Sequence, residues 1–449
     1  EHLGTFLRQY FFAMDREELP FNRAERSWVY RAAKDLDSTV AFGSTHDIQH
    51  PGTVIFASCP FPPLEEPGGT ESPPLRTIGA DTDHPYVPGS FFNISGMSYG
   101  ALSKPAIMAL ANGARKAGCW LNTGEGGLSP LHLEGGCDLV FQIGTAKYGV
   151  RDEHGRLSER RLREVAAHEQ VRMFEIKLSQ GAKPGKGGIL PGAKVNEEIA
   201  RIRGIPVHVD SISPNRHPEI DSVESLLDMI ERVREVTGKP TGFKTVVGDT
   251  AWLEALCDAI HRRGLHAAPD FVTIDGAEGG TGAAPMSLID HMGLPLAEAL
   301  PRVVDILHAH GLNDRIRVIA SGKLITPARV AWALCAGADH VVTARGFMFA
   351  LGCIQAMQCN RDTCPTGITT HDPRLQKGLD PVLKSERVAN YVRHMKREVG
   401  IIARACGVES PQQLTRRHAR IVVAPGMSKS LEELYPFPQP VSHLTACRT

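Results

Sequence analysis

From residue 91 onward the chain alternates between two hydrophobic patterns. Short apolar runs, rich in β-branched and aromatic residues, fall at 91–95, 120–123, 139–143, 173–177, 242–247, 271–275, 317–320 and 340–344. Runs of this length, nearly continuous in apolar character and bounded by turn residues, predict strands buried on both faces. Between them, apolar residues recur at helical spacing over 104–117, 222–236, 250–263, 296–310 and 327–336. Pro105 and Pro327 stand near helix starts, where a missing N–H costs little. Gly118, Gly238, Gly264, Gly311 and Gly337 follow helices, where a left-handed residue ends the turn. Eight such strand–helix units between residues 91 and 350 match the size of a closed (β/α)8 TIM barrel, about 250 residues. A doubly wound sheet is the competing architecture. The eightfold count, and glycines placed directly after strands where a barrel puts its active-site loops, favour the barrel.

The flanks read differently. Residues 1–90 form an N-terminal extension with an amphipathic start over 6–14, a helix over 23–35 and a Pro- and Gly-rich connection over 60–74. Residues 351–449 begin with a cysteine loop, continue as a long helix over 382–405 and end in a tail. The barrel domain is thus expected to span 91–350.

Composition narrows the function classes. Lysine plus arginine balances aspartate plus glutamate at 50 each over 449 residues, so no basic surplus points to nucleic acid. No apolar run reaches the ~18 residues that cross a bilayer, and no charged-then-apolar leader opens the chain. These features predict a cytoplasmic protein. Glu1 is not an initiator methionine, which leaves an N-terminal anchor upstream open. Ten cysteines are too sparse for a disulfide scaffold. Cys119, Cys257, Cys335 and Cys406 lie in apolar surroundings and read as reduced core residues.

Glycine loops at the ends of the last strands carry the first chemistry. The nearest match to a dinucleotide fingerprint, residues 280–285, ends in proline and follows the sixth strand rather than the first. Residues 183–188 lack the Gly-Lys-Ser/Thr ending of a nucleotide-triphosphate loop. Barrels commonly bind one phosphate with the loops after strands seven and eight, through backbone N–H groups and a helix N-terminus. Ser321 and Gly322 follow strand seven, Arg345 and Gly346 follow strand eight, and Gly279, Gly280 and Thr281 follow strand six. A phosphate held there suggests a mononucleotide lying over the barrel mouth. Lys244, expected at the end of strand five and pointing to the mouth, could then face the N1–C2=O edge of a reduced flavin. A plain set of tight turns and a snorkelling lysine is the competing account.

The most specific feature is Cys353-x5-Cys359-x4-Cys364-Pro365. Three thiolates within one loop can converge on an inorganic cluster, and with no fourth cysteine in the segment a three-iron cluster is the economical reading. Zinc would need another ligand, with His371 the nearest choice. His208, Asp210 and His217 can also be drawn as a metal site. They read better, with His132, as solvent-facing or entrance residues.

These residues stand within stretches that resemble the FMN-binding synthase domain of glutamate synthase, most of all its stand-alone relatives. The matching stretches are 95–100 (SGMSYG), 122–127 (NTGEGG), 177–185 (KLSQGAKPG), 190–192 (LPG), 212–214 (ISP), 279–285 (GGTGAAP) and the cysteine loop to Gly367. The resemblance implies one FMN, one [3Fe-4S] cluster and reductive amination of 2-oxoglutarate by way of 2-iminoglutarate. It implies that Met97 and Ser98 lie against the isoalloxazine, with Asn122 and Thr123 nearby and Lys244 at the N1–O2 edge. Glu125 would stand at the reacting centre, with Lys177 and Gln180 binding a dicarboxylate. An arginine expected at position 147 is Lys147, which turns a carboxylate fork into a point charge. Residues 320–324 (ASGKL) depart from the family's DGGLK. No glutaminase segment is recognisable, so ammonia, a small amine (as in N-methylglutamate formation) or a separate amidotransferase subunit would supply nitrogen. No pyridine-nucleotide site is visible, so ferredoxin or a reductase subunit is the expected electron donor. The competing functions are another FMN-barrel oxidation or isomerisation, and a non-catalytic electron-transfer subunit.

Overall fold

A computed structural model describes residues 19–64 and 74–441. The start predicted over 6–14 and the middle of the Pro- and Gly-rich connection, 65–73, lie outside the described residues. Eight parallel strands close a barrel in sequence order: β1 (Phe92–Ile94), β2 (Leu121–Asn122), β3 (Leu139–Ile143), β4 (Val171–Lys177), β5 (Thr241–Val246), β6 (Phe271–Asp275), β7 (Arg317–Ser321) and β8 (His340–Thr343). The closing pair sets Val341 opposite Phe92, and Lys177 of β4 lies opposite Lys244 of β5.

Side chains two apart on one strand face the same side, and the barrel interior follows that rule in layers. Trp120, Val140, Met173, Phe271, Ile319 and Val342 form an apolar floor with Ile78 and Tyr86. Ile78 and Tyr86 come from the extension and are joined by an antiparallel bridge, so that segment plugs the N-terminal end. One step toward the C-terminal ends come Asn122, Gln142, Glu175 and Thr273, a polar layer that is fully hydrogen-bonded. Glu175 accepts from Asn122 Nδ2 (2.8 Å), Gln142 Nε2 (2.7 Å) and Thr273 Oγ1 (2.6 Å). A buried carboxylate is tolerable only when its lone pairs are met in this way.

The outer wall comprises α2 (Lys104–Ala117), α3 (Pro130–Glu134), α4 (Glu159–Ala166), α5 (Val223–Thr237), α6 (Ala251–Arg263), α7 (Leu296–Ala309), α8 (Pro327–Ala336), the short α9 (Arg345–Leu351) and the long α10 (Pro381–Ala405). Before them stands α1 (Arg23–Ala33). α10 packs on α2, α8, α9 and α1, and thereby fills the eighth outer position. Its N-cap Asp380 accepts from Val382 N and Leu383 N, with Pro381 at the first helical position. Ser385, Val388, Val392, Met395, Val399 and Ala403 form its buried stripe. Tyr391 of the same helix meets Phe92, Phe347 and Trp28 at ring distances of 5.5, 5.2 and 5.9 Å. The cysteine loop is thus slung between strand eight's short helix and the eighth wall helix. Strand Val54–Phe56 of the extension pairs with Ala419–Ala424 of the tail, which pairs with Met427–Ser430. No helix among the described residues is long and apolar enough to cross a membrane.

Candidate active site at the barrel mouth

The C-terminal ends of β2, β3 and β4 bring Glu125, Gly144 and Lys177 together. Glu125 sits in a 3-10 turn (Gly124–Gly126) that follows β2. Lys177 Nζ lies 3.1 Å from Glu125 Oε1 and donates to Gln180 Oε1 at 2.6 Å. Gln180 in turn donates to the Gly280 carbonyl (3.1 Å), which ties the loop after β4 to the loop after β6. Burial alone would raise the Glu125 carboxyl pKa. The charges of Lys177, Lys183 and Arg203 outweigh it and hold the group down at about 2. The side chain keeps 21% exposure, so the carboxylate is reachable.

Two glycines make room for this carboxylate. A Cβ at Gly144 would stand 2.6 Å from Glu125 Cβ, and one at Gly188 would stand 2.7 Å from its Oε1. Backbone elsewhere is held by buried histidines. His217, expected to face solvent or line the site entrance, does not face solvent: it is buried beside the mouth, where its Nε2 meets the Lys177 carbonyl (3.0 Å). His132 is buried too, capping α3 through Ser129 and meeting the Met97 carbonyl (3.0 Å). His208 and Asp210 are exposed, and Asp210 accepts from Gly192 N (2.7 Å).

The expected cofactor residues separate into groups. Met97 and Ser98 lie against the β2 turn: Met97 N donates to the Asn122 carbonyl (2.9 Å), and a Cβ at Gly124 would touch Ser98 N at 2.8 Å. Asn122 Oδ1 accepts from Gly124 N (2.9 Å), while Thr123 Oγ1 accepts from Gln142 N (3.2 Å). Lys244 lies midway along β5, facing the barrel interior 3.4 Å from Asp275. Asp275 is a hub that sequence reasoning missed. It also accepts from Ser321 Oγ (2.7 Å) and Gly181 N (2.9 Å), joining three loops. Gly322 adopts φ 140° and packs on Gly276. Gly346 has a different reason to be glycine, because a Cβ there would lie 2.3 Å from the Tyr391 hydroxyl. Arg345 runs along Gly280, bonds the Thr281 carbonyl and reaches Cys359 Sγ (3.6 Å), so it bridges the glycine loop and the cysteine loop.

Lys147 is not brought to the Glu125–Lys177 pair; its buried ammonium pairs with Glu219 (3.0 Å) and reaches the Gly155 carbonyl (3.4 Å). Lys183 and Arg203 are the cations that sequence reasoning missed. Lys183 lies inside the 177–185 stretch and could have been found there. Arg203 ends a short helix, Glu197–Arg203, and no local signal marks it. It is 5% exposed and bonds Ser211 Oγ (3.1 Å) over the Tyr148 ring.

The Arg345 guanidinium contacts Cys359 and lies within electrostatic reach of Cys353 and Cys364; as thiolates all three raise its basicity although burial opposes it. Cys353 Sγ accepts from Gln355 N (3.4 Å), and Cys364 Sγ meets Thr366 Oγ1 (3.4 Å). Lys194 donates to the carbonyls of Cys359 (3.0 Å) and Thr369 (2.6 Å). Among the described residues no three His, Cys, Asp or Glu side chains gather about a single-ion centre. His371, the ligand a zinc site would need, bonds the Gly100 carbonyl (2.8 Å) instead. Three thiols in one loop, beside a cation and N–H or O–H donors, are a donor set whose chemistry fits an iron–sulfur cluster. At the mouth, a buried cation, glycine-lined walls and a guanidinium at the edge suit a flat anionic cofactor bearing a phosphate.

The conserved region in glutamate synthase matches residues 84–409. The chain belongs to the glutamate synthase family. Within it, the glutamate synthase large subunit-like protein YerD of Bacillus subtilis is 39% identical over 455 residues, covering 93% of this chain and 86% of that protein. The archaeal glutamate synthase [NADPH] of Methanocaldococcus jannaschii is 36% identical, covering 76% of this chain. The archaeal-type enzyme of Thermotoga maritima is also 36% identical, covering 71%. This chain spans 64% and 59% of the length of those two relatives. Among solved structures, a flavocytochrome b2 variant with benzoylformate superposes with a TM-score of 0.51 at 14% identity, covering 95% of this chain and 84% of that one. That likeness shows the barrel fold. Family membership makes the chain a glutamate synthase-type, FMN-dependent oxidoreductase.

Proposed function

We propose that this glutamate synthase-type chain catalyses reductive amination of 2-oxoglutarate, or a closely similar 2-oxo dicarboxylate, by ammonia. The observation that carries the reading is the gathering of Lys177, Lys183 and Arg203 around Glu125, beside the Gln180 amide. Two substrate carboxylates need cations and amide donors, and charge-assisted hydrogen bonds are the strong ones. The Glu125–Lys177 pair is the resting arrangement, with the substrate's carboxylates taking up the cations when it binds. With those cations drawn off, the Glu125 carboxylate is released from the charges that hold it down and can carry protons. Ammonia enters as the free base and adds to the keto carbon; Glu125 relays two protons in turn from the added nitrogen to the former carbonyl oxygen, which leaves as water and gives 2-iminoglutarate. FMN, when bound and reduced, supplies the hydride that completes the reduction. Gly144 and Gly188 hold the space in which Glu125 turns between these partners.

Cys353, Cys359 and Cys364 would hold a [3Fe-4S] cluster through which electrons arrive from an external donor, a ferredoxin or a reductase subunit. Nitrogen comes as free ammonia, a small alkylamine or the product of a separate amidotransferase subunit, and the site of action is the cytoplasm. The deciding experiment is anaerobic. Reduced protein mixed with 2-oxoglutarate and ammonium should show flavin reoxidation that needs both additions, with methylamine run in parallel. Reoxidation that ignores the oxo acid sinks the reading. Cys359→Ser should lower bound iron and leave FMN content unchanged; iron content equal to that of the parent would remove Cys359 from the ligand set.

A further inference from the structure

Inside the cysteine loop, Gln355 takes a left-handed backbone, φ 58°, as do Met357 and Asp362. L-residues adopt this region rarely, so something must hold it. At Gln355 the turn aims the backbone N–H at Cys353 Sγ, 3.4 Å away. Its side chain points the other way and donates through Nε2 to the carbonyls of Leu19 (3.3 Å) and Phe21 (3.2 Å). Those carbonyls belong to the segment that leads into α1, and α1 is itself locked onto the loop. The Tyr30 hydroxyl donates to the Cys353 carbonyl at 2.5 Å. The rings of Phe21 and Tyr30 both meet Phe349 edge-on, at 5.3 and 5.9 Å. All of these contacts come from residues before position 84, where the family match begins.

We infer that the segment from Leu19 to Tyr30 is a clamp for the first cysteine of the loop. Tyr30 and Gln355 act as positioning residues that fix the N–H···S bond to Cys353 and so set the potential and retention of the cluster. The inference rests on the proposed cluster reading of the loop. Its physical basis is that a hydrogen bond to a ligating sulfur draws off electron density, which favours the reduced, more negative state of an iron–sulfur centre and raises its potential. Released from Leu19, Phe21 and the Cys353 carbonyl, the turn is free to relax out of the left-handed region. The N–H then swings away from the sulfur, and the ligand loop opens more readily to solvent.

Glycine separates this from a general packing role, because it adopts φ near 58° without strain while alanine does not. Full-length protein reconstituted with iron and sulfide would be assayed for bound iron, titrated for the cluster midpoint by electron paramagnetic resonance, and bleached with a chelator. Gln355→Ala and Tyr30→Phe should shift the midpoint to more negative potential and speed bleaching several-fold, with flavin content unchanged. Gln355→Gly should fall nearer the parent than Gln355→Ala does. The clamp is refuted if alanine and Tyr30→Phe match the parent in both readouts, or if glycine shifts them as far as alanine. A parent protein that holds no iron instead overturns the cluster reading and takes the clamp with it, so the two failures are distinguishable.

Discussion

Glu125 is the residue at which charge decides both binding and turnover. Three cations hold it ionised, and the same cations would receive the substrate's carboxylates. Glu125→Gln therefore has opposite effects on the two. Removing the negative charge frees Lys177 and Lys183 for an incoming dianion, so calorimetry on the variant should show 2-oxoglutarate binding more tightly than to the parent. Loss of a general acid–base should lower kcat by roughly 100- to 10,000-fold. Unchanged turnover would place Glu125 outside the chemistry, and unchanged or weaker binding would show that it does not compete with the substrate for those cations. Gly144→Ala probes the same carboxylate sterically, since its Cβ would stand 2.6 Å from Glu125 Cβ, an atom fixed to the backbone. Turnover should fall with flavin content preserved, and unchanged kinetics would show that the Glu125 turn is free to move. At this scale the sequence was most legible in contiguous motifs: Glu125, Lys177 and Gln180, named from two separate stretches, stand within contact of one another. Arg203, Asp275 and Glu175 were not legible, because each acquires its role from neighbours far along the chain. Lys147 shows the converse, a motif position whose side chain turns to Glu219.

Elements were more legible than residues. All eight barrel strands coincide with the apolar runs at 91–95, 120–123, 139–143, 173–177, 242–247, 271–275, 317–320 and 340–344, shifted by at most two residues at an end. α4 escaped notice because it is only eight residues long and mostly charged, and buries only Leu162 and Val165. The pairing of Val54–Phe56 with the tail escaped because a strand of three residues carries no period of its own. The contact of α2 with α10 was likewise invisible, although it closes the wall. Gly113 permits it: a Cβ there would lie 2.5 Å from Val388 and 2.9 Å from the Ser385 carbonyl. In an isolated helix Gly→Ala gains roughly 1 kcal/mol. Overpacking a fixed contact costs about 1–3 kcal/mol, and here the obstacle includes backbone, so the clash should win. Gly113→Ala should lower the urea midpoint, whereas a raised midpoint would mean that α10 yields to the added methyl.

The whole molecule places three neutral histidines at its structural joints, and this gives stability a direction in pH. His132 holds the Met97 turn, His217 holds the Lys177 strand end, and His340 lies under Trp120 in the barrel floor, each at most 1% exposed. Burial depresses all three, from 6.5 to about 4 for His132 and His217 and to about 3 for His340. Between 6.5 and those values the unfolded chain binds protons that the native chain refuses. Stability should therefore be full above 6.5 and fall as pH drops through this window, by up to about 1.4 kcal/mol per pH unit for each histidine. His340 offers the clean test, because its ring nitrogens lack a well-formed hydrogen bond and Arg317 and Arg76 oppose its protonation. His340→Leu removes the titrating group without orphaning a partner. Urea unfolding from pH 7 to 4.5 should then show a slope shallower than the parent's by about 1.4 kcal/mol per pH unit at full effect. Parallel slopes would mean that the barrel floor admits a proton and its water more easily than the packing of Trp120, Ile319 and Val342 implies, and the acid sensitivity of the fold would have to be sought in its carboxylates.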